Sequence, residues 1–323
     1  MMLEYSKFKE ILCEEIQKKL SIDGYNFELK IEEINTINEK KDKLSVIDPL
    51  SPAAFPVFYI NDIYKYYSSC GDIYGTINDV VDEIKETYIN LPKVDINRDV
   101  VINNVFFTLV NYDKNKELLN TIPHRKFQDL AITYKLMVTD SLHATITNKV
   151  MDNIGMDEKE LYNYAYVNTP NILGRITRME IDDWYLKGLG SILGNGINFN
   201  NEFEINYKDD NELDEKMIVF KYENTDLYGS SIILYNDEIE KAAEMFNDDL
   251  VMIFPTTDML VVSSIKNDME EINELCNNIS VPAQKFLSSN KYIYDKKLKT
   301  ITIQEDSKAK SLDSNINRKR GRR

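Results

Sequence analysis

The sequence predicts an α+β protein with two domains, each a mostly antiparallel sheet with helices packed on one face. Three observations carry this prediction. Apolar residues recur at helical spacing over residues 5–20, apolar and polar residues alternate over 27–31, and the second half of the chain reads ββαββα followed by ββ. Strands that follow one another directly favour antiparallel pairing, and the helices between them then cover one face of the sheet.

The N-terminal domain is predicted to span residues 1–170. Thr76, just after Gly75, is a plausible N-terminal cap for one of its helices. The other elements follow from apolar periodicity and from runs of β-forming residues. They are a helix at 5–20, a strand at 27–31, a charged turn at 38–43, a return strand at 44–47, a helix from 61, strands at 105–110 and 130–138, a short helix at 114–119 and a helix at 158–168.

A linker is predicted over residues 171–214, because this stretch is rich in glycine and then in acidic residues and asparagine. The C-terminal domain is predicted over 215–305, and residues 306–323 are predicted to form a disordered tail. The predicted strands of this domain are 218–222, 228–235, 250–254, 259–264, 292–294 and 299–303, and its predicted helices are 238–246 and 269–277.

Cysteine usage and hydropathy indicate a cytoplasmic protein. The three cysteines, Cys13, Cys70 and Cys276, lie too far apart for a zinc site, and their odd number argues against a disulfide framework. The N-terminal twenty residues are amphipathic and contain several acids, unlike a signal or transit peptide. No apolar run is long enough to cross a bilayer, so we expect no contact with a membrane.

The charge of the chain is unevenly distributed. The formal net charge is −15, but residues 306–323 hold seven basic and two acidic residues, so this basic tail carries +5 and the rest of the chain carries −20. An acidic body repels nucleic-acid backbones, whereas the end of the tail could contact phosphates. The candidate phosphate contacts are Arg318, Lys319, Arg320, Arg322 and Arg323.

The motifs of common enzymes are missing from the sequence. His124 and His143 are the only histidines, there is no G-x-S-x-G elbow, and there is no phosphate-binding G-x-x-x-x-G-K-[ST] loop. His124 is interpreted as a capping or hydrogen-bonding residue. Glu28 and Lys30 resemble part of the carboxylate–lysine set of metal-dependent nucleases, but an alternating strand with a polar outer face is the favoured explanation of these residues. We expect no cofactor.

Tyrosines cluster between residues 59 and 74, where a stacking platform and ordinary core packing are the two alternatives. The cluster comprises Tyr59, Tyr64, Tyr66, Tyr67 and Tyr74. Lys65 is the only basic residue among them, and platforms for nucleic acid combine aromatic rings with positive charge. Core packing is therefore the favoured interpretation.

Several segments, taken in order, resemble a family. They include Val57-Phe-Tyr-Ile-Asn-Asp-Ile-Tyr-Lys-Tyr-Tyr67, Leu109-Val-Asn-Tyr-Asp-Lys-Asn-Lys-Glu-Leu-Leu119 running into Ile122-Pro-His124, Asn168-Thr-Pro170 and Tyr228-Gly-Ser230. Together they are similar to the domain-of-unknown-function family numbered 5688, of anaerobic Gram-positive bacteria and their mobile elements. The resemblance implies the layout of the chain and no activity.

The chain departs from that family pattern at two places. It has Ile154-Gly155 where the family has Trp-Gly, and Pro255-Thr-Thr-Asp-Met259 where the family has a Pro-Ser-Ser-x-His-Glu-like turn. Most of the polar groups of that turn are therefore expected to be missing here.

These observations lead to three functional hypotheses. The first is a non-enzymatic cytosolic binding or interaction protein with a protein partner, serving as an accessory of a mobile element. The second is a divergent Mg²⁺-dependent nuclease or hydrolase that uses surface carboxylates. The third is nucleic-acid contact through the basic tail.

Overall fold

A computed structural model describes residues 2–49, 57–90, 96–139, 142–181, 217–267 and 283–304. It confirms the α+β class, since helices accompany sheets whose strands are all antiparallel. The chain separates into an N-terminal unit, Met1–Ile96, and a C-terminal unit, Asn97–Arg323. No helix of the described residues is long and apolar enough to cross a membrane.

The described part of the N-terminal unit combines three helices with a three-stranded sheet of order β1-β2-β3. Its elements are α1 (Tyr5–Ile22), β1 (Glu28–Thr36), β2 (Glu39–Ile47), β3 (Phe58–Tyr59), α2 (Ile60–Cys70) and α3 (Ile73–Asn90). Helix α1 buries Phe8, Leu12, Ile16 and Leu20, four residues apart on one stripe, against the apolar face of the other elements. The predicted helix and hairpin are therefore confirmed.

Two local predictions in this unit are wrong. The charged segment 38–43 is mostly strand, because the tight turn falls at Ile37 and Asn38, where Asn38 adopts a positive φ of 64°. Thr76 does not cap α3, which begins at Ile73. Its hydroxyl donates instead to the Asp72 carbonyl within the buried first turn.

In the C-terminal unit, the described residues form two antiparallel sheets. The first has the order β4-β6-β5 with β7 paired to β6, and the second has the order β13-β12-β10-β11-β9-β8. The elements are α4 (Arg98–Asn104), β4 (Val105–Asn111), α5 (Lys116–Leu119), β5 (His124–Phe127), β6 (Leu130–Thr139), β7 (Leu142–Thr145), α6 (Asn148–Ile154), α7 (Glu158–Leu173), β8 (Ile176–Glu180), β9 (Met217–Tyr222), α8 (Asn236–Phe246), β10 (Leu250–Ile253), β11 (Leu260–Ser264), β12 (Lys291–Asp295) and β13 (Thr300–Gln304).

The compact units divide at Ile96 and Asn97, which differs from the boundary predicted over 171–214. The physical reason is a single apolar core that contains Phe107 and Leu136 of the first sheet together with Phe220 and Leu250 of the second. Part of the predicted linker is strand β8, which pairs antiparallel with β9. The rest of that linker, from residue 182, and the predicted helix at 269–277 lie outside the described residues.

The segment predicted as a strand at 228–235 is instead a 3₁₀ helix, Gly229–Leu234. All six of its residues are buried. A wholly buried segment shows no alternation of apolar and polar residues, so its sequence cannot distinguish a strand from a helix. Tyr228 precedes it with a φ of 64°, a left-handed conformation that is uncommon for tyrosine. This turn brings Tyr228 back toward the first sheet, where its ring contacts Phe106.

Candidate functional site

A cleft of about 440 Å³ opens on the C-terminal unit where α5, β5, α6 and the start of α7 meet. Its floor is apolar, and its polar groups are two carboxylates, two amides and one imidazole. The lining residues are Leu119, Asn120, Ile122, Pro123, His124, Asn148, Met151, Asp152, Met156 and Glu158. A cleft of this size with a few convergent polar groups is typical of a ligand site.

Helix caps position the acidic side of the cleft. The Thr147 side chain accepts from the Val150 N–H at the start of α6, and Asp157 accepts from the Glu160 N–H at the start of α7. Gly155 ends α6 with a φ of 61°, a conformation that glycine adopts without a steric penalty. These caps fix the start and the end of α6 and the start of α7. They therefore also fix the positions of the neighbouring side chains.

Glu158 is held in place by two donors. The Tyr134 hydroxyl donates to its Oε1, and Arg125 Nη2 donates to its Oε2 at 2.9 Å. The Arg125 guanidinium also stacks 3.9 Å from the centre of the Tyr162 ring. Burial and the neighbouring carboxylate both raise the pKa of Tyr134, so its hydroxyl remains a donor at neutral pH. Glu158 is thus a rigid part of the wall.

Asp152 and His124 have unused hydrogen-bonding capacity. Asp152 is exposed, and no described residue donates to its carboxylate. The Nδ1 atom of His124 lies 3.2 Å from the Ile122 carbonyl oxygen, and no described residue forms a hydrogen bond with its Nε2. No serine, threonine, cysteine or lysine is among the described residues that line the cleft. The apolar and polar groups of this lining can bind a ligand.

The structure therefore brings His124 together with acidic residues that the sequence did not single out. The sequence does contain two residues that are typical N-caps, Thr147 and Asp157. Such residues predict where helices start, but they do not indicate that the helices share a cleft. The interpretation of His124 as a hydrogen-bonding residue agrees with its contact to the Ile122 carbonyl.

Glu28 and Lys30 belong to the N-terminal unit, on the exposed face of β1. The Lys30 ammonium pairs with Glu32 on the same strand at 2.6 Å. Within the described residues, no group of three or more histidine, cysteine or acidic side chains is arranged to hold a metal ion. The five basic residues Arg318, Lys319, Arg320, Arg322 and Arg323 lie outside the described residues.

The tyrosine cluster of the N-terminal unit serves mainly in packing. Tyr67 is buried and stacks on Phe8 at 5.1 Å, and Tyr64 makes edge contacts with Tyr5 and Phe8. Tyr66 and Tyr74 are 52% and 69% exposed, so the cluster is not packed throughout.

A second polar cluster lies in the C-terminal unit, and no sequence pattern indicated it. Its members are Lys135 of β6, His143 of β7, Tyr228 and Asp258. Asp258 comes from the turn 255–259, whose polar groups were expected to be largely missing. One carboxylate of that turn is nevertheless in place and hydrogen-bonded.

Comparison with known proteins completes these observations. Neither a curated protein nor a solved structure matches the chain. A family of unknown function does match, over residues 5–296, which is most of the chain and includes both compact units in large part. The chain belongs to this family of unknown function, DUF5688, as the order of its segments indicated.

Proposed function

We propose that this protein is a non-enzymatic binding protein of the cytosol, an accessory of a mobile element, whose protein partner inserts a basic side chain into the cleft. The observation that carries the proposal is the combination of an apolar lining with the exposed carboxylate of Asp152, which pairs with none of the described residues. An interaction protein needs no nucleophile or metal, and its specificity rests on such placed polar groups.

The chemistry of the cleft favours a lysine or arginine side chain. Met151, Met156 and Ile122 provide an apolar surface for the methylene stem, and Asp152 provides an acceptor for the charged end. Apart from the tail, the chain carries −20, so a basic segment is also attracted over longer distances. Acidic segments are repelled by the same field.

The first prediction concerns the cleft carboxylate. Blocked tripeptides Gly-X-Gly with lysine, glutamate or leucine at X are titrated into ¹⁵N-labelled protein at low salt. The lysine peptide is expected to shift the amide resonances around Asp152 and His124, and Asp152→Asn is expected to weaken its binding by about two- to five-fold, the effect of one exposed ion pair.

The matched control is Glu83→Gln, which removes the same charge from an exposed residue of the other unit. It is expected to leave the affinity for the lysine peptide unchanged. Equal binding of the lysine and leucine peptides, or an equal loss in both variants, would contradict the proposal.

Nucleic-acid contact through the basic tail is a second proposal, favoured by the five basic residues among the last six positions. Binding of a fluorescent 30-base DNA is measured by anisotropy between 20 and 200 mM salt. If all five side chains contact phosphates, log K is expected to fall against log salt with a slope of about −3.5 to −4.5. Deleting residues 316–323 is expected to abolish binding.

The control for this experiment keeps the length of the tail and replaces its five basic residues with glutamine. This variant is expected to behave like the deletion, because charge and not chain length supplies the affinity. Undiminished binding by either variant would assign the DNA contact to another part of the chain.

A further inference from the structure

One face of the first sheet in the C-terminal unit carries an unusual set of polar groups. Lys135 of β6 pairs directly with Phe106 of β4, and Met137, two residues later, pairs with His143 of β7. Directly paired residues share a face, and so do residues two apart, so Lys135 and His143 lie on the same side. Tyr228 packs on this face, with its ring centre 5.2 Å from that of Phe106.

Lys135 is partly buried on this face. Its ammonium lies 5.5 Å from the centre of the Tyr228 ring, and no described residue gives it a hydrogen bond or an ion pair. Burial lowers the pKa of Lys135, and the charge of Asp258 opposes that shift. A partly buried cation that has an aromatic ring beside it, but no hydrogen-bond acceptor among the described residues, is costly.

The His143 ring is the second group on this face with an unsatisfied polar atom. Its Nδ1 lies 2.9 Å from the Tyr228 hydroxyl oxygen, whereas its Nε2 is closed off from solvent and has no partner among the described residues. Burial and the Lys135 charge both lower the pKa of His143, so the ring is neutral near pH 7. Buried ring nitrogens are normally hydrogen-bonded, and an exception calls for an explanation.

The Tyr228 hydroxyl is the hydrogen-bond partner of His143 Nδ1. Burial raises the pKa of Tyr228 to about 12, with a further contribution from Asp258, so the hydroxyl keeps its hydrogen and is able to donate it to Nδ1. In the tautomer in which Nδ1 accepts this hydrogen bond, the hydrogen of the neutral imidazole resides on Nε2. In that tautomer His143 Nε2–H and the Lys135 ammonium are two donors that have no acceptor among the described residues.

The only carboxylate associated with this cluster in the described residues, that of Asp258, is already occupied. Its Oδ1 accepts from the Tyr228 backbone N–H at 3.1 Å, and its Oδ2 accepts from the Lys285 ammonium at 2.6 Å. The charge of Asp258 is thus matched by Lys285, which leaves the charge of Lys135 unmatched. The cluster is locally positive within a chain that is strongly acidic.

The surrounding backbone holds these groups in fixed positions. Tyr228 adopts a φ of 64°, and a Cβ on the following residue, Gly229, would lie 2.5 Å from the Asp258 carbonyl oxygen. Close packing between two turns restricts their movement and so keeps a binding site preorganised. Local backbone strain is also often found at functional sites.

We propose that Lys135 Nζ and His143 Nε2 form a binding site for a small oxyanion, the phosphate or carboxylate group of a ligand. The anion supplies the acceptor that both donors lack and the negative charge that Lys135 lacks. The site is separate from the cleft at His124, and it is independent of the proposed protein partner.

The test is binding of inorganic phosphate to the full-length protein at pH 7, measured by calorimetry and by ¹H–¹⁵N spectra. Lys135→Met is expected to weaken phosphate binding at least ten-fold, and His143→Phe is expected to have an effect of similar size. Lys135→Met should also melt no lower than the original protein, because it replaces an unmatched cation with an apolar side chain of similar length. Loss of binding in this variant would therefore not be a consequence of unfolding.

Lys297→Met is the matched control, since Lys297 is exposed and its ammonium has no hydrogen bond or ion pair with a described residue. It removes the same charge and is expected to bind phosphate as the original protein does. Acetate is titrated in parallel, and binding of acetate in preference to phosphate would assign the site to a carboxylate. Phosphate binding that survives Lys135→Met, equal losses in both lysine variants, or no binding of either anion would overturn the proposal.

Discussion

Replacing Asp129 with alanine is expected to lower the free energy of unfolding by about 3–4 kcal/mol, since three donors to one carboxylate lose their acceptor at once. Asp129 lies in the turn between β5 and β6. Its carboxylate accepts from Ser288 Oγ at 2.7 Å, from Asn290 Nδ2 at 2.9 Å and from the Tyr292 hydroxyl. Tyr292 is fully buried, so its hydroxyl cannot turn to water when the acceptor is removed.

The position of Asp129 explains why the effect is large. Its three bonds join a turn of the first sheet to the segment that leads into β12 of the second sheet, more than 150 residues later in the chain. A parallel bond runs from Asn111 Nδ2 to the Leu287 carbonyl at 2.9 Å. Loss of Asp129 therefore weakens a connection between two sheets as well as individual hydrogen bonds.

Urea unfolding followed by circular dichroism measures this effect. Asp129→Asn keeps the shape and one acceptor, so we expect a smaller loss, about 1–2 kcal/mol. Asp113→Ala provides the control, because Asp113 is 74% exposed and, among the described residues, its carboxylate pairs only with Lys116 on the surface. Its loss is expected to be about 0.5 kcal/mol or less. Similar losses for Asp129→Ala and Asp113→Ala would show that the carboxylate network contributes little.

Gly229→Ala is expected to cost about 3 kcal/mol, at the upper end of the range for overpacking. The added Cβ would lie 2.5 Å from the Asp258 carbonyl oxygen and 3.1 Å from that of Phe220. Both atoms are backbone, so neither can rotate away as the end of a side chain could. The turn that carries Asp258 or the 3₁₀ helix that begins at Gly229 must move instead.

The matched control is Gly155→Ala in the same unit. Gly155 has a φ of 61°, but a Cβ there would meet nothing within 4 Å. Its substitution therefore incurs only the left-handed backbone penalty, about 1 kcal/mol. Thermal and urea unfolding compare the two variants. Equal destabilisation would mean that the close approach to Asp258 is relieved without cost.

Periodic burial made much of the local structure predictable. Helix α1 and strand β6 are confirmed, because the buried residues of α1 recur every four positions and the alternation of β6 predicted a strand. The hairpin of β10 and β11 is confirmed as well, since two β-rich runs flank the turn near Pro255. The 3₁₀ helix Gly229–Leu234 was missed because a wholly buried run has no period.

The sequence by itself determined the α+β class, most of the helices and strands, the family resemblance and the division of charge between the body and the basic tail. These properties depend on neighbouring residues or on composition. Only the tertiary structure decided where the compact units divide, because one core unites Phe107 with Phe220. It also decided which residues converge: His143 meets Tyr228 across 85 positions, and His124 shares a cleft with Asp152. Convergence of this kind depends on packing between segments that are distant in the sequence. The spacing of residue types within one segment does not predict it.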